Sequence, residues 1–146
     1  MVKIEYPLGR MLSQIGKGYL HLLRAKLQHL DIDRNYHALM LIESDDGNIT
    51  QQELAVLLDT DKVSIVRVVD YLSEKGYVKR IRKTDDRRKY SLNLTEKAKH
   101  ALPEIKQAIE EINQIVLYGF GDSKISELME SIQLIKNNTT KNILTL

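Results

Sequence analysis

Two short stretches hold the side chains best suited to recognition chemistry. The first is Lys62-Val63-Ser64-Ile65-Val66-Arg67 and the second is Lys83-Thr84-Asp85-Asp86-Arg87-Arg88-Lys89. A guanidinium forks onto a phosphate or onto the major-groove edge of guanine. An ammonium or hydroxyl suits phosphate or base-edge hydrogen bonds, and a valine methyl suits the methyl of thymine. By these criteria Lys62, Ser64 and Arg67 are hydrogen-bonding candidates, while Val63 and Val66 are apolar ones. Lys83, Arg87, Arg88 and Lys89 would form a cationic tip able to meet the strong negative potential of a narrow minor groove. Asp86 is spaced to pair with Arg88 and brace that tip. Such a surface pair is worth only about 0–1 kcal/mol, so its role would be positioning. The plainer alternatives are a solvated charged loop and two valines packed beneath a neighbouring segment.

These residues need particular elements to present them, and the local pattern supplies them. Thr50-Gln51-Gln52-Glu53 matches a capping box and starts a short helix through Leu54, Ala55, Leu57 and Leu58. Asp61 can cap the next helix, Lys62 to Lys75, whose buried stripe would be Ile65, Val68, Val69 and Leu72. Gly76 stands where a left-handed residue ends a helix. The period then changes from 3.6 to 2, so Tyr77 to Arg82 and Tyr90 to Leu94 read as strands flanking the basic tip. A capped helix, a turn, a second helix and a basic hairpin are what a winged helix-turn-helix needs to dock on double-stranded DNA.

Around this unit the periodicity is helical. Leu8, Met11, Leu12, Ile15, Tyr19, Leu22, Leu23, Leu27 and Leu30 mark one stripe of a long first helix over 8–30. Asp33 is a candidate N-cap for a second helix, Arg34 to Glu43, with Tyr36, Leu39, Met40 and Ile42 toward the core, and Asp45-Asp46-Gly47-Asn48 breaks it. Thr95 caps a long helix with Leu102, Ile105, Ile109, Ile112 and Val116 on its apolar side. Pro103 should bend that helix or mark a late start. Gly119 and Gly121 end it, and Asp122 or Ser123 opens a last helix through Ile125, Leu128, Met129, Ile132 and Ile135. The expected class is mainly α with a small β-hairpin wing.

Composition narrows the function. The chain has 146 residues, 42% of them hydrophobic, which suits one domain or one completed by a partner chain. Between Val78 and Lys99 nine basic residues face three acids, a surplus of six in a chain whose net charge is +2, so the rest is acidic by four. A basic patch on a mildly acidic body steers one face toward a polyanion. There is no cysteine, which excludes disulfides, thiolate metal sites and thiol sensing. His21, His29, His37 and His100 lack metal-ligand spacing, so no metal or other cofactor is expected. No nucleophile elbow, phosphate loop or metalloprotease helix is present, and the protein is not expected to be an enzyme. MVKIEYPLGR is not a secretory leader and no run of eighteen apolar residues occurs, so a cytoplasmic protein without a membrane partner is expected.

Leu54-Ala55, Asp61 through Leu72, Lys75-Gly76-Tyr77-Val78-Lys79-Arg80, Asp86-Arg87-Arg88 and Leu92-Asn93-Leu94-Thr95 resemble the MarR family of winged-helix regulators, collinearly from the first helix to the last. The resemblance implies one MarR-like domain over 1–146, with a winged helix-turn-helix at about 33–95 and dimerisation helices at about 6–30 and 96–140. It implies a homodimer on a palindromic operator, acting as a transcriptional regulator such as a repressor. It places DNA contacts at Ser64 and Arg67, with Asp86 and Arg88 in the wing and Arg88 entering the minor groove. Val66 departs from the Ser or Thr of many relatives, which makes base readout there apolar. Many relatives respond to small aromatic or anionic ligands, and Tyr19, His21, Tyr36 and His37 are the candidates for such a pocket; ordinary packing is the competing reading. Independently, the apolar stripes of the terminal helices need cover that a second copy would supply, although a monomeric helical cap would also serve. The alternative function is a winged-helix protein-interaction module whose basic wing meets an acidic partner.

Overall fold

The computed structural model describes residues 3–146. Eight elements follow in order: α1 (Leu8–Lys26), α2 (Tyr36–Ser44), α3 (Gln51–Leu57), α4 (Lys62–Glu74), β1 (Val78–Arg82), β2 (Tyr90–Leu94), α5 (Glu96–Val116) and α6 (Asp122–Ile143). They form two compact units, one ending at Ile112 and the other running Asn113–Leu146.

The core lies in the first unit. Leu23 and Leu27 from the end of α1 meet Leu39 and Ile42 of α2, Leu54 of α3, Ile65, Val69 and Leu72 of α4, Val78 and Leu92 of the hairpin, and Leu102, Ile105 and Ile112 of α5. Ion pairs tie α1 and α2 to α5, Lys26 with Glu111 and Glu43 with Lys106, and the imidazole of His29 in the turn after α1 hydrogen-bonds Glu104.

Local chemistry sets the helix boundaries of the winged unit. Thr50 Oγ1 accepts from the Glu53 amide while Glu53 Oε2 accepts from the Thr50 amide at 2.7 Å, a complete capping box. Asp61 Oδ1 accepts from the amides of Val63 and Ser64 at 2.9 and 2.7 Å, which starts α4. At the other end Gly76, at φ +79°, lets the Tyr77 amide reach the Leu72 carbonyl and its own amide reach that of Ser73. That is a Schellman closure, available cheaply only to glycine. β1 and β2 then pair antiparallel from Val78↔Leu94 to Arg82↔Tyr90. A bridge from Thr50 to Ser91 ties the start of α3 to the hairpin. Gly47, also left-handed, leaves no room for a Cβ, which would stand 2.9 Å from the Asn93 side chain.

Several expectations are corrected. Asp33 does not cap α2. It adopts φ +51°, a left-handed conformation that Asp tolerates, and its carboxylate faces Arg24 and Arg34; α2 begins at Tyr36 after Asn35. The first helix ends at Lys26, and of its stripe only the C-terminal part is buried; Leu8, Met11, Leu12, Ile15 and Leu22 are exposed. Pro103 does not delay α5, which starts at Glu96 with Thr95 Oγ1 accepting from the Ala98 amide. Val116 is exposed, and α6 buries none of its apolar stripe.

Candidate nucleic-acid interface

α4 is two-faced. Ile65, Val69 and Leu72 point into the core, and Lys62, Val63, Val66 and Arg67 are exposed at the i, i+1, i+4, i+5 spacing of a single opposite face. Val63 and Val66 are 64% and 40% exposed, which disposes of the idea that they pack beneath a loop. Two bare valines between a lysine and an arginine make a face with apolar and cationic character together. Ser64 differs from its neighbours. It is half-buried and its hydroxyl donates to Asp61 Oδ2 at 2.9 Å, so its proton is committed and only its lone pairs are open. The Ser64 amide, then its hydroxyl, hold the Asp61 carboxyl below its ordinary range, which keeps the cap charged.

The wing is organised by Asp86. Its Oδ1 accepts from the Arg88 amide at 3.1 Å and from Arg88 Nε at 3.2 Å, and these bonds, the backbone one first, lower its pKa. The Lys83 amide closes on the Lys89 carbonyl at 3.0 Å. Arg88 remains 91% exposed despite its tether, so the brace aims the guanidinium without hiding it. Arg87 and Lys89 are exposed and Lys83 is half-buried.

The basic patch is smaller than its sequence count. Arg80 bonds Asp70 at 2.6 Å through Nη2 and Gln51 at 3.1 Å through Nε, joining β1 to α4 and α3. Arg82 donates to Tyr90 Oη at 2.8 Å and lies over its ring, bracing the base of the wing. Lys97 and Lys99 pair with Asp31 and Glu96. Neither Arg80 nor Arg82 was singled out from sequence. Their partners lie up to 29 residues away, and no local pattern marks them.

The aromatic and histidine candidates divide. His21 and Tyr36 line an open cleft of about 260 Å³ together with Lys17, Leu20, Arg24 and Arg34. Tyr19 and His37 do not line it; Tyr19 is half-buried and His37 exposed. The Tyr36 hydroxyl is buried and has no hydrogen-bond partner among the described residues. Burial, then the proximity of Tyr19, raises its pKa. Lys17, Arg24 and Arg34 add cationic groups that sequence reading missed, because helix and turn residues converge there only in the fold. Among the described residues no cluster of His, Cys, Asp or Glu could hold a metal ion, and no helix is long and apolar enough to cross a membrane.

The model of the MarR family matches residues 33–90. Over most of its length the chain is similar to a MarR transcriptional regulator from Methanosarcina mazei Go1, at 30% identity with a TM-score of 0.83, covering 92% of this chain and 96% of that one. Two more distant structures share the fold. A mutant MarR from E. coli complexed with operator DNA is 24% identical at TM-score 0.81, covering 88% and 93%. A protein assigned to the MarR family of transcriptional regulators from Listeria monocytogenes, complexed with 26mer DNA, is 19% identical at TM-score 0.84, covering 94% and 91%. With a family match over the capped helices and the hairpin as far as the start of β2, and a relative 30% identical over 92% of this chain, the chain belongs to the MarR family of transcriptional regulators.

Proposed function

We propose that this regulator reads a palindromic operator as a homodimer, each copy laying α4 in a major groove and its wing against the adjoining minor groove. One observation carries the reading. The exposed face of α4 bears Lys62, Val63, Val66 and Arg67, and the same unit bears a wing whose Arg88 is aimed by Asp86. In this reading Arg67 specifies a base, Val63 and Val66 meet thymine methyls, Ser64 accepts from a base or water, and Lys83, Arg87, Arg88 and Lys89 neutralise phosphates. Family members crystallised with operator DNA and with 26mer DNA support it. Function as a single domain, with its helices completed by a second copy, would cover the exposed apolar residues of α1 and of α6. The two α4 helices would then meet successive major grooves about 34–36 Å apart. The working compartment is the cytoplasm, beside the chromosome. Repression or activation follows from where the operator lies relative to a promoter.

The test is selection of bound sites from random duplexes, then competition between the selected site and random sequence. A specificity ratio well above one is expected. A ratio near one with tight binding to an acidic protein would favour the protein-interaction alternative. Light scattering should return a dimer at micromolar concentration.

A second observation favours ligand responsiveness. Tyr36, whose buried hydroxyl has no hydrogen-bond partner among the described residues, lines a cleft with Lys17, His21, Arg24 and Arg34, a site suited to a small aromatic anion. Titration with benzoate as a probe should release the operator complex, and Tyr36→Phe should weaken that response.

A further inference from the structure

At the end of α4 remote from its cap, one residue in the turn between α1 and α2 gathers four segments, through its carboxylate and its main-chain carbonyl together. Asp31 Oδ1 accepts from the Tyr77 hydroxyl at 2.7 Å and from Lys97 Nζ at 3.1 Å, and its carbonyl accepts from the Tyr71 hydroxyl at 3.0 Å. Lys97 Nζ also donates at 2.8 Å to the carbonyl of Lys75, the C-cap of α4, and sits 4.4 Å from the centre of the Tyr77 ring. Tyr71 belongs to α4, Tyr77 precedes β1 and Lys97 opens α5. Thr95 Oγ1 closes the same corner by donating to the Gly76 carbonyl at 2.6 Å.

We propose that Asp31 is a positioning residue for DNA reading: it anchors the C-terminal end of α4 through Tyr77, Tyr71 and Lys97, and so sets the angle at which Val63, Val66 and Arg67 enter the groove. The reason is mechanical. A helix of 13 residues is about 20 Å long, so freedom at one end becomes displacement at the other. Base contacts lose their value when a supporting shell lets them drift by about 1 Å. The Asp31–Lys97 pair is half-exposed and weak on its own account. Tyr77, however, is 1% exposed, and its hydroxyl takes Asp31 as acceptor, so removing the carboxylate leaves a buried donor unpaired. Lys97 adds a cation at the carbonyl end of the helix dipole. Asp31 and Lys97 act on the reading face only through this corner.

The inference rests on the DNA-binding reading, and the experiment separates the two. Full-length wild type, Asp31→Ala, Asp31→Asn and Lys97→Met are compared by fluorescence anisotropy on the selected operator and on a random duplex of equal length, at two salt concentrations. Asp31→Ala should weaken operator binding by about tenfold, equivalent to 1.4 kcal/mol, while random-duplex affinity stays level or rises because an anion has been removed. Asp31→Asn keeps an acceptor for Tyr77 and should fall between Asp31→Ala and wild type. Lys97→Met should lower the specificity ratio without changing the salt slope, and it serves if the Asp31 variants fold poorly. Hydrogen exchange at Lys75, Gly76 and Tyr77 should quicken in each variant. The proposal is overturned if both Asp31 variants keep the wild-type ratio, if Lys97→Met reduces the salt slope as a phosphate contact would, or if exchange at those amides is unchanged. A wild type with no preference among duplexes would instead remove the DNA-binding reading, and the proposal with it.

Discussion

α4 and α6 carry apolar residues at the same helical period and meet opposite fates. In α4 the stripe Ile65, Val69 and Leu72 is buried, which frees the opposite face for cations and two valines. In α6 none of Ile125, Leu128, Met129, Ile132 and Ile135 is buried, and Met129 and Ile132 are openly exposed. Periodicity tells which face of a helix needs cover; it does not tell which molecule provides it. For α4 the cover comes from the hairpin and the neighbouring helices of its own chain. For α6 a second copy is the proposed source, since exposed stripes of this kind mark association surfaces.

The largest effect should come from breaking this contrast directly. Leu72→Ala opens a cavity in a packed core and should cost about 2–5 kcal/mol of unfolding free energy, seen as a drop in urea midpoint. Ile132→Ala should hardly change the unfolding of the monomer and should act on the dimer dissociation constant, so its midpoint shift should be near zero in dilute protein and grow as the concentration rises through the wild-type dissociation constant. Urea titrations below and above that concentration distinguish the two. A shift for Ile132→Ala that is independent of concentration would mean that its stripe is covered within the chain.

A second contrast lies between the two DNA-facing arginines. Arg67 stands on a rigid, twice-capped helix, and Arg88 on a loop braced by one carboxylate. Arg67→Ala should cost about 1–3 kcal/mol on the operator and relax the preference at one base position. Arg88→Ala should weaken operator and random duplex alike and lower the salt slope by about 1. Anisotropy across a salt series reads both, and identical profiles for the two variants would erase the distinction.

The winged unit was legible in the sequence where its determinants are local. The Thr50 capping box, the Asp61 cap and the Gly76 closure each depend on groups within about one helical turn, and each forms as the residue pattern implies. The match between α4's expected stripe and its buried residues has the same origin, with Val68 alone left half-buried. What was not legible depends on long-range convergence. Arg80 reads as one more cation of the patch until Gln51 and Asp70 arrive beside it. Asp33 reads as a cap until its own left-handed backbone and Arg24 claim it. Lys17, Arg24 and Arg34 look like solvated surface until they share a cleft with Tyr36. A measurable version of the local half is Thr50→Ala, which should destabilise the first unit by about 1 kcal/mol, read by thermal melting.

The smallest effect expected is one of pH, and it should appear in α3 and not in α6. Thr50 donates first through its amide and then through its hydroxyl to the ionised Glu53 side chain, which holds that carboxyl below its ordinary range. Asp31 is lowered in the same way, first by the Tyr77 hydroxyl and then by Lys97. A carboxyl whose folded pKa lies below its unfolded one contributes stability that is complete above the unfolded value and drains away as pH falls through the folded value. The winged unit should therefore lose stability on acidification from the ordinary carboxylate range downward. The N-cap of α6 is Gly121, which makes no side-chain cap bond, so its first turn has no such titrating bond to lose. Glu53→Gln should be less stable than wild type at neutral pH and should show a shallower fall with acid, the two curves converging at low pH. Parallel curves in thermal melts between pH 7 and 3 would show that the capping carboxylate does not contribute to the acid sensitivity.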